Sequence, residues 1–233
     1  MTKSLIIDPG HGGSDNGMDG YGEAEKHWTL KISLYQYTRL KELGADVAIT
    51  RTTDQELDPD ERTALVRNKY DYCMSNHFNA YNGSARGVET IHSIYADSHV
   101  SAVLASAVVE ASGLPLRRVF DKKNSRGTDY YYMHRETGNT ATTIMEYGFL
   151  DNVEDYAFYK EEENLFKVAE EVVQAWCIIL GVAYEPPADK HDNEQSASEL
   201  WKVQVGAFSK KDNANDLANR LEKEGFNVWV TKS

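Results

Sequence analysis

The chain has 233 residues, of which 41% are hydrophobic and 11% aromatic, which allows a sizeable core and argues against a disordered chain. Its net charge of −12 argues against nucleic acid as a partner, because phosphate binding requires clustered cationic charge. Its apolar runs fall well short of the roughly 20 residues that span a bilayer, so no membrane partner is expected.

The charge is unevenly distributed, which predicts two modules. Residues 200–233 carry six Lys or Arg and four Asp or Glu, a net charge of +2, whereas the rest of the chain carries 19 and 33, a net charge of −14. Residues 184–199 contain two prolines, many polar residues and no periodicity, which is typical of a linker. We therefore expect a domain at 1–183, a linker at 184–199 and a small module at 200–233.

Alternating strand and helix patterns predict the fold of the first domain. The pattern predicts strands at 5–8, 46–50, 70–78, 87–95 and 142–149, and helices at 25–43, 58–70, 97–112 and 162–180. This alternation favours an α/β fold, with a twisted, largely parallel central sheet flanked by helices. The small module is predicted to be strand, helix, strand, with a shared helix face formed by Leu217, Ala218 and Leu221. Cys73 and Cys177 lie in apolar runs, which favours two reduced core cysteines.

The first predicted strand ends in a glycine-rich stretch, SLIIDPGHGGSDNG, with His11 in its middle. The stretch lacks the GxxxxGK[ST] and GxGxxG patterns, which argues against a phosphate loop. A histidine at the end of a strand is compatible with a plain tight turn or with a metal ligand. In an open α/β sheet, ligands bind at the carboxyl edge, where this histidine is expected to lie.

Three further residues favour a metal site. Glu25 stands at the start of the first helix, His77 ends another strand, and Glu146 lies within an apolar strand, where an unpaired carboxylate is costly. Two histidines and one glutamate have the composition of a catalytic zinc site, and a second glutamate supplies the proton acceptor that such a site needs. Glu25 is also compatible with an ordinary carboxylate at a helix N-terminus, and Glu23 is an alternative ligand.

At these residues the sequence resembles the zinc-dependent N-acetylmuramoyl-L-alanine amidases of the Amidase_3 type. The resemblance covers roughly residues 3–182 and rests, in chain order, on IIDPGHGGSDNG, EKHWTLKIS, GADVAITR, MSNHFNA, GVET and IMEYGFLDN. It implies one Zn²⁺ per chain, held by His11, Glu25 and His77. It also implies that Glu146 acts in catalysis. Lys26 follows Glu25 as in the family, which favours Glu25 over Glu23.

The tail from Trp201 resembles a SPOR repeat, with the sequence WKVQVGAFSKKDNANDLANRLEKEGFNVWVT. SPOR domains bind peptidoglycan glycan strands and are usually twice this length. A single unit would leave an open slot in its sheet, so we expect two chains to pair as a homodimer through residues 200–233. The expected substrate contacts are His134 and Arg135, where the amidase family often contacts substrate, together with Trp201 and Gln204.

The resemblance implies a peptidoglycan hydrolase that cleaves the amide between N-acetylmuramic acid and L-Ala of the stem peptide. The N-terminus runs directly into a strand without a signal peptide, so the chain is expected to be cytoplasmic at synthesis and to act on the cell wall after release. A phage or prophage endolysin is favoured over a sporulation mother-cell autolysin. The same residues are compatible with a stem-peptide metallopeptidase, or with a non-enzymatic wall-binding protein that holds a structural zinc.

Overall fold

The computed structural model describes residues 3–187, 206, 208, 210–223 and 228. The chain divides into two compact units, residues 1–185 and 186–233. The elements of the first unit, in chain order, are β1 (Ser4–Pro9), β2 (Asp19–Gly20), β3 (Glu23–Ala24), α1 (Glu25–Glu42), β4 (Asp46–Ile49), α2 (Pro59–Val66), β5 (Tyr72–Asn79), β6 (Val88–Ile91), α3 (His99–Ser112), β7 (Leu116–Phe120), α4 (Tyr132–Arg135), β8 (Ala141–Phe149), α5 (Val153–Tyr159) and α6 (Glu162–Leu180).

Six of these strands form one sheet in the order β4-β1-β5-β8-β6-β7. Strands β4, β1, β5 and β8 are parallel, β6 is antiparallel to β8, and β7 is parallel to β6. The predicted α/β fold with a largely parallel, helix-flanked sheet is confirmed. The sequence does not predict β7, because its LRRVF segment carries two arginines and has its first three residues exposed at the sheet edge.

The two faces of the sheet pack in separate cores. The larger core lies beneath α1, α3 and α6, and its residues from the sheet include Leu5, Ile7, Met74 and Met145. On the opposite face, a smaller core is formed by Ile6, Cys73, Ile91 and Ile144. Val66 of α2 and Met133 of α4 cover this smaller core. Side chains alternate between faces along a strand, so His77 and Glu146 lie on the same face as Cys73 and Ile144.

Capping residues define the start of α2 and the ends of α3 and α6. α2 begins with a capping box, in which the side chains of Asp58 and Glu61 each accept the backbone N–H of the other residue, and Pro59 occupies the first helical position. α3 and α6 end at Gly113 and Gly181, which both adopt the left-handed conformation. These capping residues lie at or within a few residues of the helix ends that the sequence predicts.

Asn76 is a buried amide within the larger core. Its Nδ2 donates to Ser33 Oγ and Gln36 Oε1, both at 2.8 Å, and its Oδ1 accepts from the Tyr147 hydroxyl at 3.1 Å. Because the amide is paired through both ends, its burial carries no unsatisfied polar group. The three partners join β5 to α1 and β8, one residue before His77.

Cys73 and Cys177 are both unpaired and buried. They belong to the smaller and the larger core respectively, on opposite faces of the sheet. The prediction of two core cysteines without a disulfide is confirmed.

In the second unit the structure describes one helix, α7 (Lys211–Lys223). Ala218 is buried, and Leu217 and Leu221 are half-buried, as the predicted helix face requires. The two predicted flanking strands lie outside the described residues. Within the described part of the chain, the helices are too short or too polar to cross a bilayer.

Candidate metal centre

Three side chains from three elements converge at the carboxyl edge of the sheet. His11 follows β1, Glu25 opens α1 and His77 lies near the end of β5, and one possible ligand atom of each lies within 4.8 Å of the others. His11 Nε2 is 3.1 Å from Glu25 Oε2, and His77 Nδ1 is 3.0 Å from Glu25 Oε1. The two imidazole nitrogens are 3.2 Å apart. The structure thus brings together the three residues that the sequence predicts as ligands.

The glycines of the first loop permit its close approach to these side chains. A Cβ on Gly10 would clash with the ring of His77, and a Cβ on Gly17 would lie 2.5 Å from Glu25 Oε2 and 2.6 Å from His11 Cδ2. His11 itself has a φ of +60°, which is an uncommon and strained conformation for a histidine. A plain tight turn requires none of these approaches, so the glycines serve the cluster.

Glu25 is the buried centre of the cluster. Its Oε1 also accepts the backbone N–H of Phe78 at 3.0 Å, and its Oε2 accepts that of Met18 at 2.9 Å. Burial alone would raise the pKa of Glu25, but the hydrogen bonds from His11 and His77 outweigh burial and hold the pKa well below its ordinary value. The alternative ligand, Glu23, is exposed on β3 and lies outside this group.

Asp15 orients the ring of His11 from the outer side. Its Oδ2 lies 2.9 Å from His11 Nδ1, and its Oδ1 accepts the backbone N–H of Gly17 at 3.0 Å. A proton on Nδ1 that is donated to Asp15 leaves Nε2 as the nitrogen that can bind a metal ion in place of its own proton. Metal-bound histidines are usually held by a carboxylate in this way. Asp15 is not among the residues predicted from the sequence, although its spacing of four residues from His11 is a detectable signal.

The donor atoms fit a zinc ion. Zinc binds imidazole nitrogen and carboxylate oxygen, and catalytic zinc sites have three such protein ligands. The donors of His11, Glu25 and His77 face one another across 3.0–3.2 Å. His11 and Glu25 are also held by hydrogen bonds from outside the cluster. Asp15 bonds to His11, and two backbone N–H groups donate to Glu25.

Glu146 lies beside the cluster on the neighbouring strand. It pairs in register with His77 across the parallel β5–β8 ladder and with Glu89 across the antiparallel β6–β8 ladder. Glu146 Oε2 is buried and has no hydrogen-bond partner among the residues that the structure describes. Burial, and then the negative charges of Glu25 and Glu89, raise the pKa of Glu146 well above its ordinary value. A carboxyl group with a raised pKa is suited to taking and giving a proton.

Two buried arginines fasten the His11 loop to the sheet. Arg62 donates to Asp8 Oδ1 at 2.7 Å and to the carbonyl of His11 at 2.8 Å. Arg51 donates to the carbonyl of Gly10 at 2.8 Å. Asp8 is fully buried and compensates the charge of Arg62. The backbone on which His11 stands is therefore held by charged groups from β1, from α2 and from the segment after β4.

The residues that the sequence predicts as substrate contacts are His134, Arg135, Trp201 and Gln204. His134 is buried on α4, where burial lowers its pKa to about 4, so the ring is neutral. Arg135 donates to the backbone carbonyls of Asp129 and Tyr130. Trp201 and Gln204 lie outside the described residues. Contact of these predicted residues with substrate stays a prediction.

Comparisons with known proteins show which families the chain resembles. A family model for N-acetylmuramoyl-L-alanine amidase matches residues 5–177, and a SPOR domain model matches residues 197–233. The chain is 31% identical to the sporulation-specific N-acetylmuramoyl-L-alanine amidase of Bacillus subtilis (strain 168), over 99% of this chain and 84% of that relative.

Two solved structures share the fold. Cwp6 from Clostridium difficile has a TM-score of 0.71 and 30% identity, over 76% of this chain and 29% of Cwp6. The catalytic domain of CwlV, an N-acetylmuramoyl-L-alanine amidase from Bacillus (Paenibacillus) polymyxa var. colistinus, has a TM-score of 0.70 and 25% identity, over 78% of this chain and 99% of that domain. This chain therefore spans less than a third of Cwp6 and nearly all of the CwlV domain.

We expect Arg62→Met to destabilise the first unit, because it leaves Asp8 buried without its cation. Removal of one partner from a buried ion pair costs about 3–5 kcal/mol of the free energy of unfolding, which urea denaturation of the metal-free protein measures. Arg67→Met removes an exposed arginine just after α2 and is the control, with an expected change below about 1 kcal/mol. Equal urea midpoints for Arg62→Met and wild type would contradict the anchoring role.

Proposed function

The chain belongs to the N-acetylmuramoyl-L-alanine amidase family, and from this premise we propose that it hydrolyses the amide between the lactyl group of N-acetylmuramic acid and L-Ala of the peptidoglycan stem peptide. One observation carries the proposal, the convergence of His11, Glu25 and His77 beside Glu146. Hydrolysis of an amide requires activation of the carbonyl and a group that moves a proton, and this arrangement offers residues for both. A wall-binding protein without activity has no use for Glu146.

The residues proposed to hold one Zn²⁺ are His11 through Nε2, Glu25 through its carboxylate and His77 through Nδ1. When bound, zinc supplies Lewis acidity toward the scissile carbonyl and toward water. The single carboxylate among the ligands leaves a bound zinc with a net positive charge. The two backbone N–H groups on Glu25 and the Asp15 contact of His11 fix the ligands before the metal binds.

Glu146 is the proposed proton carrier. Its carboxylate accepts a proton from the attacking water and gives it to the amide nitrogen, so that L-Ala leaves as a neutral amine. Burial raises the pKa of Glu146, which makes its carboxylate a stronger base than an ordinary glutamate. Its register with His77, one of the proposed ligands, supports this role, because the two side chains lie on the same face of the sheet.

The name of the Bacillus subtilis relative supports a setting for this activity. That relative is called sporulation-specific and matches 99% of this chain. We propose that this chain is a mother-cell autolysin that digests the cell wall during sporulation. The sequence alone favours an endolysin instead. Release from the cytoplasm before action on the wall stays a prediction.

The SPOR domain supports attachment to the glycan strands of the wall. Its model matches residues 197–233, which include the last three residues of the predicted linker. The proposed sugar contacts are Trp201 and Gln204. A domain that binds the polymer near a tethered hydrolase raises the local concentration of scissile bonds.

Digestion of purified cell walls tests this function. We expect the zinc-loaded chain to free the amino group of L-Ala and the lactyl carboxyl of muramic acid, identified by end-group labelling and mass spectrometry. Glu146→Gln keeps the shape of the side chain but removes the proton acceptor. We expect it to lower the rate about 10²–10⁴-fold while zinc content stays at one per chain.

Glu136→Gln is the matched control for that variant, since Glu136 is exposed, and it should digest walls at the wild-type rate. New ends within the stem peptide, without a free L-Ala amine, would favour the metallopeptidase. A wild-type rate for Glu146→Gln would exclude Glu146 as the proton carrier.

Metal content tests the proposed ligands separately from activity. His11→Ala, Glu25→Ala and His77→Ala each remove one donor, so we expect clearly less than one zinc per chain by mass spectrometry of the metal after dialysis. Glu23→Ala is the control and should keep one zinc per chain. Loss of zinc in Glu23→Ala, with a normal zinc content in Glu25→Ala, would show that Glu23 is the ligand and Glu25 is not.

The homodimer through residues 200–233 stays a prediction, because the strands proposed to pair lie outside the described residues. We expect light scattering to give the mass of a dimer for the full chain and of a monomer for residues 1–184. A monomeric full chain, or a dimeric fragment 1–184, argues against pairing through this module.

A further inference from the structure

A cavity with two arginines lies one strand away from Glu146, at the same edge of the sheet. Strands β6 and β7 run opposite to β5 and β8, so their first residues lie where those strands end. The cavity has a volume of about 280 Å³, and its lining includes Asn79, Tyr81, Glu89, Arg117, Arg118 and Phe149. It begins one strand away from Glu146, because Glu89 is the register partner of Glu146 on β6.

The two arginines share one carboxylate. Glu89 is buried and accepts from Arg117 Nε, and it also accepts from Arg118 Nε at 2.9 Å and Nη2 at 3.2 Å. One carboxylate against two guanidinium groups leaves a net charge of +1. Among the described residues, both Nη groups of Arg117 and Nη1 of Arg118 have no hydrogen-bond partner.

Aromatic rings hold the arginines in place. The guanidinium of Arg117 lies 5.3 Å from the ring centroid of Phe149, and that of Arg118 lies 3.9 Å from that of Phe120. The arginine side chains are 38% and 51% exposed, so solutes can reach them. Preorganised guanidinium groups with unused donors are suited to binding a carboxylate through charge-assisted hydrogen bonds.

We propose that Arg117 and Arg118 bind a carboxylate of the stem peptide on the leaving-group side of the scissile amide. This proposal rests on the amidase function proposed above. The amide bond consumes the lactyl carboxyl of muramic acid, so the free carboxylates of this substrate belong to the peptide. A cationic subsite one strand away from Glu146 therefore indicates the direction in which the peptide leaves the site.

The spacing of the strands indicates which part of the peptide reaches the arginines. Two strand spacings of about 4.8 Å separate β8 from β7, a distance of about 10 Å. An extended peptide covers that distance in about three residues. The carboxylate bound by Arg117 and Arg118 thus belongs to the second or third residue of the stem.

Two soluble muramoyl tripeptides test this subsite, one with every stem carboxylate free and one with every carboxylate converted to a carboxamide. We expect the wild-type enzyme to favour the free form about tenfold in kcat/KM, mainly through KM, because binding shared by substrate and transition state leaves kcat unchanged. Arg117→Gln and Arg118→Gln should each raise KM for the free form about tenfold and leave the carboxamide form unaffected. Each variant leaves one arginine on Glu89, and Arg67→Gln is the control.

The outcomes separate this subsite from the function itself. Equal kcat/KM of the wild type on both tripeptides overturns the subsite and leaves the amidase function intact. An equal loss on both tripeptides in the arginine variants also overturns it, since the arginines would then serve Glu89 alone. If neither tripeptide releases its muramic acid while walls are cut within the stem, the proposed amidase function fails and the subsite fails with it.

Discussion

The buried carboxylate of Glu25 is the group on which the geometry of the site depends, because a buried charge is tolerated only when it is fully paired. Two imidazoles and two backbone N–H groups meet its two oxygens, and they come from the loop after β1, from Met18 and from β5. These segments have to approach within hydrogen-bond distance of one point. The lack of a side chain at Gly10 and Gly17 and the positive φ of His11 follow from that requirement.

Strand direction decides which further side chains share this edge of the sheet. β1, β5 and β8 end there, which brings His11, His77 and Glu146 together. β6 and β7 begin there, which brings Glu89 opposite Glu146 and places the two arginines one strand further out. A fully parallel sheet would place the start of β6 at the opposite edge. The reversed pair of strands is therefore what adds a cationic cavity to the cluster of His11, Glu25 and His77.

The residues that the sequence identifies are those with a strong local pattern. His11 and His77 end apolar runs and Glu25 starts a helix, while Glu146 interrupts an apolar strand, so each is visible without knowledge of the fold. The cavity is not visible in this way, because β7 is an exposed edge strand and the reversal of β6 depends on pairing with β8, more than 50 residues later. Asp15 is hard to identify for a different reason, since a loop aspartate resembles an ordinary turn residue.

Glu89 and Glu146 lie opposite each other on adjacent strands. Their different surroundings give the two carboxylates different properties. Glu89 is buried but accepts from two guanidinium groups and from Asn79, so its charge is compensated. Glu146 has a buried oxygen without a partner in the described part of the chain, and the charges of Glu25 and Glu89 add to burial in raising its pKa. The arginines weaken the repulsion that Glu89 exerts on Glu146, because they offset its negative charge. They thus allow two carboxylates to stand one strand apart, the first fixed in ion pairs and the second available to exchange a proton.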